Sequence, residues 1–581
     1  MLKKYLLSFN LLKTFRDFPL SSAFALVTTM ATILLVDHQD HNLLIKVAGA
    51  GYLSFLAAIS CEVQKKISGK MWILIVPILV FVAWFFYLPD NFDDIPNYLE
   101  KVYIYRYVGM ALILHLIISF IPYLRKSAEE DFWEYNNHLF LRIFESVLFS
   151  IITFVGLSVA LLAIDKLFGF NVDSKWYARM YIFLMGIFNS IYFLSKYPEI
   201  DYNEDTQKPS SAYKVFSQYI LIGISSIYLV LLYAYATKII IEGSLPKGWI
   251  GYLTLCFSTV GILTWLLNYF NPKFSENRFT KFFVLHFFKF LTIPIIMLFI
   301  AIIIRLREYG ITEHRYFVAT LAVWLAILSI GYGWIKGFHI KFIPISLAIL
   351  SMVAVFSGPT DMFSVSLKNQ QNRLHRFIIE NNLLNNSKFD ISAIDKMDDN
   401  HKFSLKKSII ALGERSDLQI IDDWVEESLF ENYNDTIDYN RAVFLNKKLG
   451  VINSLANKQP EDNYFNINAK GRLKIDVSGY KTMSQVQIVS NEFENDKFIL
   501  VENGHEIQIP GFQKHSLVEM VLNINNNMNY EVPQPQMTVI FNNKLDSAKL
   551  VIEFLHGKVA GKKVMVEGGQ GWLLETEKNE N

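Results

Sequence analysis

Cysteine is nearly missing from this chain of 581 residues: there are two, Cys61 and Cys256, both inside apolar runs. Neither has neighbours at metal-ligand spacing, and the polar C-terminal region, with no cysteine, cannot hold a disulfide. A surplus of charge of either sign is missing too. Lys and Arg number 55 against 54 Asp and Glu, so no overall basic field points to nucleic acid. The chain lacks a P-loop, a G-x-G-x-x-G after a strand, an H-E-x-x-H helix, a C-x-x-C pair and a G-x-S-x-G elbow. "GKVAGKK" (557–563) carries glycines and lysines at the wrong spacing for a phosphate loop. No internal repeat of the transporter kind is visible. These absences turn the reading away from the common nucleotide, zinc and hydrolase chemistries. No cofactor is expected.

What the chain has in quantity is apolar sequence: 52% hydrophobic residues, with only 19% charged. That composition fits a membrane protein. It is unevenly spread. Residues 1–358 are mostly apolar runs with short charged joints, and residues 361–581 are rich in Asn, Lys, Asp and Glu. A helix needs about 20 apolar residues to cross the hydrocarbon. Eleven segments are read as spans: 19–36, 43–61, 71–88, 103–124, 143–164, 177–195, 215–240, 249–269, 283–304, 316–335 and 340–357. Pro294 and Pro344 are positions where a helix can kink. Ahead of the spans, Leu2, Leu6, Leu7, Phe9, Leu11 and Leu12 alternate at helical spacing with Lys3, Lys4, Lys13 and Arg16. The expectation for 1–18 is an amphipathic helix lying in the interface; a plain basic tail is the alternative.

Orientation follows from Lys and Arg in the short loops. With the N-terminus inside, inner joints carry seventeen and outer loops seven: Lys101, Lys166, Lys175, Lys247, Arg305, Arg307 and Arg315. The C-terminal region is then outside, which in a bacterium with two membranes is the periplasm.

Three of those seven fall in one stretch, "RLREYGITEHRYF" (305–317). Arg305, Arg307 and Arg315 stand there with Glu308 and Glu313, between two apolar runs. Tyr309-Gly310 breaks one helix, and Thr312 can cap the next. The stretch reads as a short hairpin held by Arg–Glu pairs. It is either an interfacial turn with snorkelling charge or a corner for binding an anion or docking the C-terminal region. Other ionisable groups lie within spans: Arg106, His115 and Glu145. Such groups are costly in lipid and usually face the bundle or water. His115, in mid-span, is either hydrogen-bonded packing or part of a proton relay. "DHQDH" (37–41) and "DNFDDIP" (90–96) have metal-binding composition but weak spacing. Solvated polar loops are the plainer reading, and no metal site is assigned.

The charged hairpin also carries a resemblance. "EYGITEHRYF", with "NHLFLRIFESVLFSIITFVGLS" (137–158), "LLYAYATKIIIEGSLPKGWIGYLTLCFSTVGI" (231–262), "FSVSLKNQQNRLHRFIIENNLL" (363–384) and "IDVSGYK" (475–481), resembles an uncharacterised family of bacterial polytopic membrane proteins, domain of unknown function 4153. The resemblance implies a bacterial inner-membrane protein and brings no activity.

In the polar region, Thr360 or Asp361 can cap a helix reaching about Leu384, with Phe363, Val365, Leu374, Phe377, Ile378 and Leu384 on its apolar face. Helical patterns follow at 404–414, 417–430 and 438–452. From 463 the period becomes two: "RLKIDVSGY", "SQVQIVS", "KFILVENGHEIQIP", "SLVEMVLNI", "QMTVIFN" and "KLVIEFLHGKV" read as strands. Asn503-Gly504 marks a two-residue hairpin. Gly568, Gly569 and Gly571 read as a turn before "WLLE". Asp476, Ser478 and Tyr480 in "IDVSGYK" read as a strand-end turn rather than a nucleophile site, since no base is tied to them by spacing.

The expected architecture is a polytopic α-helical membrane protein of about eleven transmembrane helices, with a C-terminal extramembrane α+β domain ending in an antiparallel β-sandwich or barrel. Its parts are the interfacial helix 1–18, the membrane domain 19–358, a helical connector 359–460 and a β-rich domain 461–581. The leading functional expectation is a non-enzymatic envelope component that presents its outer β-rich module to an envelope protein or a small-molecule ligand. A transporter or lipid- or polymer-handling protein is the alternative, and a membrane-embedded enzyme a second. The bilayer is the expected partner, nucleic acid is not, and oligomeric state is open.

Overall fold

A computed structural model describes residues 11–575 except 38–41, 93–94, 96, 125–127, 171, 199–210, 244–248, 271–276, 336, 416–420, 422–423, 426–437, 452–462, 470–474, 476, 478–479, 491–497, 503–504, 508–530, 533–536, 543–546 and 561–562. The chain divides into two compact units, Met1–Asp390 with Lys407–Phe444, and Ile391–Lys406 with Leu445–Asn581.

The first unit is helical. Its elements are α1 (Leu11–Asp17), α2 (Pro19–Leu35), α3 (Asn42–Ser68), α4 (Met71–Tyr87), α5 (Asn97–Phe120), α6 (Glu129–Phe168), α7 (Ser174–Ser195), α8 (Val215–Glu242), α9 (Trp249–Asn268), α10 (Arg278–Tyr309), α11 (Glu313–Ile335), α12 (Phe342–Phe356) and α13 (Met362–Glu380). Eight of the described helices are long and apolar enough to cross a membrane, and α1 with α2, bent by 105°, gives a ninth as one broken span. The eleven expected spans are not all met. α2 has 17 residues and α12 has 15. At 1.5 Å per residue α12 reaches only about 22 Å, against about 30 Å of hydrocarbon. α4 begins with a tight 3-10 stretch, Met71–Ile75, before its 12 α-helical residues.

The lipid requirement shows in what the fold leaves uncovered. Along α6, Phe144, Leu148, Ile152, Val155, Val159 and Leu162 are all exposed. Such a continuous apolar wall is stable only against hydrocarbon. The interior is packed by Leu53, Ile222, Phe287, Leu291, Leu298 and Leu328, each at most 1% exposed. Of the expected amphipathic stretch 1–18, residues 1–10 lie outside the described ones. α1 turns sharply into α2 at Phe18, where Pro19 opens α2 without needing a backbone donor.

The second unit contributes α14 (Ile391–Asp395), most of the period-two sequence and one eight-stranded sheet. α15 (Asp399–Gly413) straddles the two units, and α16 (Asp438–Lys448) comes after it. A two-stranded hairpin, β1 (Leu384–Asn385) and β2 (Lys388–Phe389), closes the first unit's main segment. The sheet holds β3 (Asn463–Ala469), β4 (Thr482–Ser490), β5 (Phe498–Glu502), β6 (His505–Ile507), β7 (Glu531–Val532), β8 (Thr538–Asn542), β9 (Ser547–Ala560) and β10 (Lys563–Glu575). Its order is β6-β5-β4-β10-β9-β3-β7, with β8 also on β9. The expected antiparallel pairing is there except at β3–β7, which is parallel. A closed sandwich or barrel is not found among the described residues, which form a single sheet.

Three details depart from the strand reading. β3, "NYFNINA", is Asn-rich, and its short Phe465/Ile467 alternation is too weak a signal to mark a strand in sequence. "RLKIDVSGY" contains no strand among its described residues, and "SLVEMVLNI" lies outside them. The glycines 568, 569 and 571 make no turn: they sit inside β10, where register shifts fall between Val566 and Gly568 and between Gln570 and Gly571. A Cβ on Gly571 would stand 2.7 Å from the Val551 carbonyl oxygen. Glycine there permits the bulges and close backbone approach rather than ending the strand. The hairpin expected at 503–504 has its flanking residues Glu502 and His505 paired, while the two turn residues lie outside the described ones.

Candidate functional site

The charged stretch 305–317 folds as the joint between α10 and α11. Gly310 ends α10 with φ 74° and ψ −174°, a backbone region open essentially to glycine alone. Thr312 occupies the N-cap position of α11 in extended conformation, but its side chain makes no capping bond. Arg315, in the first turn, instead donates from Nη1 to the Gly310 carbonyl at 3.0 Å.

α13 clasps this joint. Asp361 caps it, accepting from Phe363 N at 3.1 Å and Ser364 N at 2.8 Å. Ser366, Asn369, Gln370 and Arg373 recur at helical spacing and form one polar face. Asn369 Oδ1 accepts from Ile311 N at 2.8 Å. Gln370 Nε2 and Ser366 Oγ donate to the Ile311 carbonyl at 2.9 and 3.3 Å. Arg373 Nη1 reaches the Arg307 carbonyl at 3.4 Å. Side chains of α13 thus supply both partners of a loop residue's backbone. The neighbouring face buries Leu374 and Ile378 completely.

A bidentate ion pair closes the clasp. Arg415 Nε and Nη2 donate to Glu313 Oε1 and Oε2 at 3.1 and 3.0 Å. Arg415 also donates to Ser366 Oγ at 3.1 Å and to the Ala411 carbonyl at 3.0 Å. The Tyr98 ring lies 5.8 Å from its guanidinium carbon, and the Tyr98 hydroxyl is 3.5 Å from Glu313 Oε1. The two side chains are 9% and 16% exposed, so the pair is held largely away from water.

The sequence expectation is a hairpin that pairs its own arginines with its own acids. Glu313 instead meets Arg415, 102 residues away. Arg305 is half-buried and Arg307 exposed, and neither side chain has an ion-pair partner among the described residues. The Glu308 side chain lies outside those residues. Arg106 joins the same region from α5: Nη1 donates to the Tyr87 hydroxyl at 2.9 Å, Nη2 is 3.8 Å from Asp361 Oδ2, and the guanidinium lies over Phe363 at 5.5 Å. His115 and Glu145 are elsewhere. His115 Nδ1 is 2.7 Å from the Ala111 carbonyl one turn back, and its ring faces outward near Tyr52. Glu145 is held by Arg142 Nη1 and the Tyr192 hydroxyl, each at 2.8 Å. The three intramembrane groups therefore do not converge.

Sequence reasoning missed Arg415, the polar face of α13 and Glu62. The face was legible in the spacing of Ser366, Asn369, Gln370 and Arg373; Arg415 carried no local signal. Glu62, 2% exposed, accepts from Leu20 N at 2.7 Å and Ser21 N at 3.3 Å, and from the Ser21 hydroxyl, which makes it the cap of α2. Of the metal-like loops, "DHQDH" beyond Asp37 and the pair Asp93 and Asp94 lie outside the described residues. Asp37 pairs with Arg179, and Asp90 with Lys46. Among the described residues no group of three or more His, Cys, Asp or Glu gathers to hold a metal ion.

These features define a class: a multi-pass helical membrane protein whose last apolar helix leads into a polar helix clasped to the α10–α11 joint. Residues 23–390 match the family described as Domain of unknown function (DUF4153), and the chain belongs to that family. It is 21% identical over 224 residues to an uncharacterised protein of Pasteurella multocida (strain Pm70), PM1469, a stretch covering 38% of each chain. The chain thus spans well under half the length of this curated relative. No solved structure matches the chain.

Proposed function

We propose that the protein is a non-catalytic membrane component that fixes its C-terminal β-rich region on the outer face of the bacterial inner membrane, for contact with an envelope partner or ligand. The observation that carries this reading is the clasp. A turn between two membrane helices receives its hydrogen bonds and its ion-pair partner from residues that come after the last apolar helix. Such a joint anchors the polar C-terminal chain to the helical bundle, with Ser366, Glu313 and Arg415 engaged with one another and with the loop backbone. The Lys and Arg bias of the loops supports the outer placement. The crossing of α4 and α12, giving eleven spans with α2, belongs to the same reading, as does the interfacial position of α1. Closure of the sheet into a sandwich is supported by Leu550, Val551 and Ile552, consecutive and all buried, because neighbours on a strand face opposite sides.

A photoreactive residue at Val477 or Met483, both exposed, tests the reading in living cells. The expected result is a specific covalent adduct with an envelope component. No adduct at either position, together with turnover of a substrate by the purified protein, would favour an enzyme instead. Arg106, His115 and Glu145, on which a transporter reading would rest, each meet separate partners.

A further inference from the structure

Toward its C-terminal end α10 carries two faces. Leu291, Ile295, Leu298 and Ile302 recur at spacings of four and three and are buried, so they face the bundle. Ile293, Ile296, Ile300, Ile303 and Ile304 recur on the other side and are each 42–52% exposed. Such a stripe is stable beside hydrocarbon. From Ile293 to Ile304 it rises about 16 Å, and one leaflet of a hydrocarbon core about 30 Å thick is about 15 Å deep.

Both rows end on arginine. Arg305 continues the buried row, three residues after Ile302, and is half-buried. Arg307 continues the lipid-facing stripe, four residues after Ile303 and three after Ile304, and is exposed. It stands about 4.5 Å beyond the last isoleucine, in the head-group layer that covers the hydrocarbon.

The fold makes no use of the Arg307 side chain. Arg373 serves the Arg307 carbonyl at 3.4 Å and Arg315 serves the Gly310 carbonyl at 3.0 Å, so the end of α10 is capped without it. The Arg307 guanidinium has neither a hydrogen bond nor an ion pair among the described residues. Around it the joint also brings Arg305, Arg315, Arg373 and Arg415, against Glu308 and Glu313. Glu313 is taken by Arg415. An exposed guanidinium in positive surroundings attracts an anion, and its planar fork matches two phosphate oxygens at once.

From a lipid-facing stripe one leaflet deep that ends on an uncommitted guanidinium in an arginine-rich joint, we infer that Arg307 binds the phosphate of an anionic bilayer lipid whose acyl chain lies along the isoleucines of α10. Phosphatidylglycerol has the required net negative charge. Phosphatidylcholine has the same phosphate but adds a trimethylammonium group that the arginines repel. The inference holds on whichever face of the membrane the joint lies, and it does not rest on the anchoring role proposed above.

The full chain in detergent is mixed with equal amounts of the two lipids, and the first lipid retained is read by native mass spectrometry. Wild type is expected to prefer phosphatidylglycerol. Arg307→Gln should lower that preference about fivefold, the attraction of one interfacial arginine for an anionic surface, with the thermal melt unchanged. Arg307→Lys, which keeps the charge, should keep most of the preference. Arg305→Gln removes an equal charge from the bundle side and should leave the preference intact. No preference in wild type, or one that survives Arg307→Gln, would overturn the proposal. An equal loss in Arg305→Gln would mean a diffuse positive field instead of a site, and would overturn it too. So would displacement of the lipid by inorganic phosphate at constant ionic strength, which would mark a soluble phosphate ligand.

Discussion

At the scale of single residues, Glu313 and Arg415 decide whether the clasp holds. Two charges that are mostly buried tolerate each other only because every guanidinium nitrogen and both carboxylate oxygens are engaged. Removing one partner leaves the other charge poorly solvated, and such a loss costs about 3 kcal/mol or more. Glu313→Gln and Arg415→Met are each expected to lower thermal stability in detergent. The double variant should recover part of the loss, because the uncompensated charge goes with its partner. A calorimetric or fluorescence melt of all four proteins measures this. Strictly additive losses would mean that the pair contributes nothing as a pair. Arg305→Gln and Arg307→Gln serve as controls, expected within about 0.5 kcal/mol of wild type, as for surface positions away from such networks.

At the scale of elements, the joint depends on a shape that only one residue type supplies. Gly310 has a backbone conformation closed to side chains, and a Cβ there would sit 2.5 Å from Arg373 Cδ and 2.7 Å from Asn369 Oδ1. Gly310→Ala is expected to cost about 2 kcal/mol from strain alone, and to lift α13 from the loop. Limited proteolysis between residues 380 and 445 would then speed up, while the apolar helices stay protected. Unchanged cleavage would mean that α13 is not held through this turn. The helices themselves were legible as apolar runs, and α13 as a capped amphipathic segment. Its polar face was equally regular in sequence. It was not legible as a contact, because hydrogen-bonding residues on a helix face water by default and only a partner distinguishes them. The β10 glycines misled for a related reason. Glycine in sequence signals backbone freedom, and whether that freedom makes a turn or a bulge depends on the neighbouring strand.

At the scale of the whole molecule, the loop charges predict an orientation that fusion reporters test. A reporter active only outside the cytoplasm, fused at residue 581, is expected to be active. The same reporter inserted at Lys70, in the short exposed turn between α3 and α4, is expected to be silent. The reverse pattern would invert the topology and put the clasp on the inner face.

By itself the sequence determined the environment of the chain, its division into apolar and polar halves, the place of nearly every membrane helix and the period-two character of the C-terminal region. These follow from composition and periodicity, which are local and survive without knowledge of the fold. Only the tertiary structure decided which charges meet. Arg415 lies about a hundred residues from Glu313, Glu62 caps a helix that begins some forty residues earlier, and Arg106, His115 and Glu145 go to separate partners. It also decided that a cavity of about 500 Å3 lies among helices whose sequences promised only packing. Long-range pairing and empty space are properties of assembled surfaces, set by how helices approach one another, and no stretch of sequence carries them alone.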